Sequence, residues 1–130
     1  MAYVIGIVLA CGVSLFARVV GFDRDRGFYP AALVVIASFY IVFAVMGGSL
    51  YALALESMIA LGFLVVAVLG FRVNLLLVAA GLAAHGLFDA VHGRLLSNPG
   101  VPEWWPPFCA AYDLTAAGWV AWLSARSSDH

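Results

Sequence analysis

Apolar residues fill this chain in long blocks, each closed by a short polar or turn-forming break. A hydrocarbon core of about 30 Å takes roughly 20 helical residues to cross, and five blocks come near that length. The pattern predicts helical spans at about 2–20, 29–46, 50–71, 73–93 and 107–125. Arg18 and "FDRDRG" close the first. Pro30 opens the second, where a missing N–H costs nothing in a first helical turn. "GGS" at 47–49 makes a tight turn into the third, and Arg72 ends that span. Prolines in "WWPPF" open the fifth, and "LSNPGVPEWWPP" is an ordered turn that holds the fourth and fifth spans at fixed separation.

Composition moves this pattern out of water. Of 130 residues, 65% are apolar and 10% charged, against about 25% charged in a soluble domain. The expected fold is therefore an all-α integral membrane bundle of five transmembrane helices, one domain over residues 1–130, seated in the plasma (inner) membrane. "MAYVIGIVLACGVSLFARVVG" lacks a basic leader and a cleavage site, and reads as a retained first span. An outside N-terminus puts Arg18, Arg24, Arg26, Arg72 and Arg126 on the cytoplasmic side and Arg94 outside, as the positive-inside rule asks. The C-terminus is then cytoplasmic. Asp23 and Asp25 beside Arg24 and Arg26 read as a solvated loop. No basic stripe points to nucleic acid; the bilayer is the expected partner, with homo-oligomerisation open. Cys11 and Cys109 fall inside spans, which argues against a disulfide framework. Gly6, Gly12, Gly62, Gly70, Gly81 and Gly86 are expected at close helix approaches. Phe39, Tyr40 and Phe43 read as packing.

Against this background "HGLFDAVHGR" stands out. His85, Asp89 and His92 are spaced by four and three, so they fall within about 60° of one another on a helix. Cys109 and Asp113 share a face of the fifth span in the same way, and Glu56 is stranded inside the third. At about 1.5 Å per residue, Glu56 lies roughly 10 Å below the outer end of its span, Asp113 about 9 Å, Asp89 about 6 Å and His85 about 12 Å. An ionised acid at mid-span costs about 2.5–3.5 kcal/mol, so these groups should converge inside the bundle between the third, fourth and fifth spans. Interhelical hydrogen bonding accounts for any one of them; the whole constellation reads better as a metal site.

Imidazole and carboxylate suit Zn²⁺, with Fe²⁺ or Mn²⁺ as further choices. The expected ligands are His85, Asp89, His92, Glu56 and Asp113, with Cys109 a weaker candidate. A metal with an open position would serve hydrolysis of a lipid or small amphiphile. Asp113 or Glu56 would then be the general base, and Arg94, Trp104 and Trp105 would hold the substrate. A site that only stores or senses an ion, and a proton- or cation-coupled transporter, are the alternatives. The run "HGLFDAVHGRLLSNPGVPEWWPPFCAAYD" resembles the signature of a family of small bacterial multi-pass membrane proteins. That resemblance implies membership and no activity. A fainter likeness links the chain to membrane hydrolases of the alkaline ceramidase type, which hold zinc with helix-borne histidines. Two usable histidines instead of three, and five spans instead of seven, separate this chain from that pattern, so no residue role is carried over.

Overall fold

The computed structural model describes residues 1–22, 27–95 and 98–127. They form five helices: α1 (Ala2–Val20), α2 (Phe28–Met46), α3 (Leu50–Arg72), α4 (Leu75–Leu95) and α5 (Trp105–Ser127). Each lies within two residues of its expected limits. In hydrocarbon every backbone N–H must be bonded within the chain, and a helix does this locally. The ends follow the turn chemistry read from the sequence. Gly21 ends α1 at φ 96°, and its N–H donates to the Ala17 carbonyl. Gly48 takes φ +69° before α3, where Ser49 Oγ accepts from the Ala52 N–H at 3.1 Å. The expected loop of Asp23, Arg24, Asp25 and Arg26 lies outside the described residues.

Burial runs opposite to that of a soluble domain. The interior holds small residues, including Ala10, Ala17, Ala44, Ala52 and Ala67, together with ionisable ones. Large aliphatic side chains such as Val19, Val65 and Met58 point outward. In water this would be a continuous exposed apolar surface, which soluble monomers do not tolerate. Facing lipid it costs nothing. Helices α1 to α4 are long and apolar enough to cross a membrane. Helix α5 has comparable length, at 23 residues, but carries Asp113, Thr115, Ser124 and two leading prolines.

Helix α4 sits centrally, packed most extensively on α5 and also against α3 and α2. Helix α1 packs on α5, and α2 on α3. The α1–α5 contact depends on Gly6, where a Cβ would strike the Phe108 carbonyl and lie 3.0 Å from Ala111 Cβ. Gly70, Gly81 and Gly86 face neighbours as expected, but Gly12 and Gly62 do not: a Cβ there meets nothing within 4 Å. Those two point away from their neighbours, so the expected close approach is corrected at both.

Candidate metal centre

The central position of α4 delivers the polar face read from its spacing into the bundle. His85, Asp89 and His92 are all buried, at 1%, 0% and 2% exposure. Asp113 from α5 and Glu56 from α3 are buried as deeply, at 0% and 2%, so neither acid faces the acyl chains.

Two groups result. In the first, His85 Nδ1 lies 2.7 Å from Asp113 Oδ2 and 3.3 Å from Asp89 Oδ2. Nδ1 and Asp113 Oδ2 share one hydrogen bond. Asp89 Oδ2 is left without a hydrogen bond in a fully buried position. Cys109 Sγ completes the group, 3.6 Å from Asp113 Oδ2. One ligand atom from each of His85, Asp89, Cys109 and Asp113 lies within 4.8 Å of the others. In the second group, His92 Nε2 meets Glu56 Oε2 at 2.6 Å. Both sit on the expected face, but seven residues of helix put His92 about 10 Å along the axis from His85. The structure thus places His92 and Glu56 beside the four-residue group, and Cys109 within it.

Residues that the sequence reading did not assign to the site join the two groups. Tyr40, on α2, donates its hydroxyl to Asp89 Oδ1 at 2.6 Å. Its ring stacks on His92, with centroids 4.0 Å apart and planes 7° from parallel. Tyr40 packs as expected, and its hydroxyl adds a hydrogen bond that the sequence did not disclose, so α2 joins α3, α4 and α5 around the site. Asn98, from the turn between α4 and α5, donates to Glu56 Oε2 at 2.8 Å and to the Tyr40 carbonyl at 3.1 Å. Among the described residues, the turn caps the site through this amide. Of the residues expected to bind substrate, Arg94 is exposed near the end of α4. Trp104 is exposed and packs edge-on to Trp105, whose ring meets Phe39 and Phe43 at 5.1 and 5.0 Å.

Energetics favour a ligand for the first group. Its two buried acids, Asp89 and Asp113, would cost roughly 5–7 kcal/mol if both were ionised, on insertion scales. Interhelical hydrogen bonds average about 0.6 kcal/mol each, so the handful present offsets only about a third of that. Protons or a cation must supply the balance. A bound Zn²⁺ contributes on the order of 10 kcal/mol at structural sites, which suffices. The donor set fits as well: tetrahedral zinc with bonds of about 2.0–2.3 Å puts its ligand atoms roughly 3.3–3.8 Å apart. The separations of 3.3 and 3.6 Å fall in that range, while the set as a whole spans up to 4.8 Å. The His85–Asp113 contact, at 2.7 Å, is a hydrogen bond and would have to lengthen around a cation. Comparison with protein-family models, curated proteins and solved structures finds no match to this chain.

Proposed function

We propose that this chain is a five-span plasma-membrane protein whose buried centre holds a divalent metal, Zn²⁺ foremost, and hydrolyses an ester or amide bond of an amphiphile. The observation that carries the reading is the convergence of His85, Asp89, Cys109 and Asp113, with Asp89 Oδ2 buried and unbonded. The cation would replace the proton on His85 Nδ1. It would supply Lewis acidity and a water of lowered pKa once one carboxylate swings off to open a coordination position. Asp113, as the carboxylate that swings off, would be the acceptor for the water's proton. Tyr40 fixes Asp89 through Oδ1 and leaves Oδ2 to face the metal, as outer hydrogen bonds do around metal ligands. Glu56 and His92 would then form a second proton-accepting pair two helical turns further along α4. Five spans with an outside N-terminus, and kinship with the small bacterial multi-pass family, belong to the same proposal. The arginine distribution and the "NPGVPEWWPPFCAAYD" motif support them.

A panel of ester- and amide-linked amphiphiles in mixed micelles tests the activity. Fatty-acid release that stops on chelation and returns with Zn²⁺ is expected. Release that is indifferent to chelation, or no release from metal-loaded protein, contradicts it. One observation favours a second reading, passage of a cation. Polar contacts run from Asn98 through Glu56 and His92, then across the Tyr40 ring to Asp89 and His85. In that case vesicles should show proton-coupled uptake that Asp89→Asn abolishes.

A further inference from the structure

Helices α1 and α2 are consecutive in sequence yet hardly touch, because α1 packs on α5 while α2 packs on α3. Between α1, α2 and α5 lies a cavity of about 530 Å³, walled by residues that include Leu9, Val13, Ala32, Val35, Phe108 and Cys109. Along α2 the lining runs from Phe28 to Phe39, about 16 Å at 1.5 Å per residue. That is close to half of a hydrocarbon core about 30 Å thick. Aromatic residues flank both ends: Phe28 stacks with Phe22 at one, and Phe39 packs edge-on to Trp105 at the other. The sides, at Leu9 and Val35, are open to the surroundings.

We propose that this groove receives one hydrocarbon chain of a bilayer amphiphile and brings its polar junction to the metal centre at Cys109. The inference rests on the reading of a membrane-embedded metal centre and names its substrate class. Three arguments select this occupant. The walls are apolar, so water gains nothing there. A cavity of about 530 Å³ drawn out over about 16 Å is long and narrow, the shape of a single polymethylene strand. Finally, the groove is continuous with the site. Cys109 lines it, and the sulfur of that residue lies 3.6 Å from Asp113 Oδ2. A chain lying between Phe39 and Phe28 would place its linkage about 6 Å inward of Trp105, at the level of Cys109.

The test reconstitutes the full chain in phosphatidylcholine vesicles doped with a lysophospholipid whose acyl chain ends in a diazirine. After irradiation, adducts are mapped by mass spectrometry. Labelling of Val13, Val35 and Phe108 should exceed that of Leu61 and Val65, on the lipid-facing side of α3, by several-fold. Ala32→Trp, and the milder filling variant Ala31→Leu, should remove the excess with helical content unchanged. Equal labelling of groove and α3, or an excess that survives both fillings, overturns the proposal. So does crosslinking of two copies through the groove. Metal content of the same samples is read separately. Selective labelling without metal would uphold the groove and sink the metal centre, and the reverse result would do the opposite.

Discussion

At the scale of single residues, the account turns on which atoms are left wanting. Asp89 has one oxygen bonded to Tyr40 and one that is buried and bare. Tyr40→Phe keeps the ring stacked on His92 but frees the carboxylate to rotate. Loss of such an outer partner typically costs 10–100-fold in metal affinity, and competition with a graded chelator series should show a drop of about that size. Asn98→Ala leaves Glu56 bonded to His92 and removes a hydrogen bond to an acid. Thermal unfolding in detergent should fall by about 1.5–3 kcal/mol with metal content intact. Metal loss instead would put Asn98 in the centre. Sequence reading reached His85, Asp89 and Asp113 because helical spacing reports which residues share a face. It grouped His92 with them because sharing a face says nothing of separation along the axis. Tyr40 escaped it, since a tyrosine within "SFYIVF" has the same signal whether its hydroxyl is used or idle. Asn98 escaped it because a turn has no period.

At the scale of helices, contact is decided by where the chain has no side chain. Gly6→Leu would drive its side chain into the Phe108 carbonyl. Overpacking of this kind costs typically 1–3 kcal/mol, and α1 should loosen from α5. Gly12→Leu meets open space and should change stability by less than about 0.5 kcal/mol. Thermal melts of the two variants in the same detergent separate these outcomes; equal losses would mean that α1 packs elsewhere. Helix limits were legible because Arg18, "GGS" and Pro30 are local signals. Partner choice was not, because in a chain this apolar almost every face is able to pack. That α1 leaves α2 for α5, and so opens the groove, depends on tertiary fit alone.

At the scale of the whole molecule, the inside-out burial of small and ionisable residues beneath exposed large aliphatics ties the site to the bilayer. A hydrocarbon surround excludes water, so the acids must be satisfied from within the bundle, by Tyr40, Asn98 and the two imidazoles, by protons or by a bound cation. The same surround would supply the proposed occupant of the groove. Composition announced the membrane at once. The co-location of acids from three helices followed from counting depth along each span, and the structure brings them to the interior of the same bundle. The measurement that tests the central claim most directly is elemental analysis of protein purified without chelator, alongside His85→Ala. The account predicts close to one divalent metal per chain in the parent, predominantly zinc, and little or none in His85→Ala. Metal absent from the parent, or retained undiminished by the variant, would contradict it.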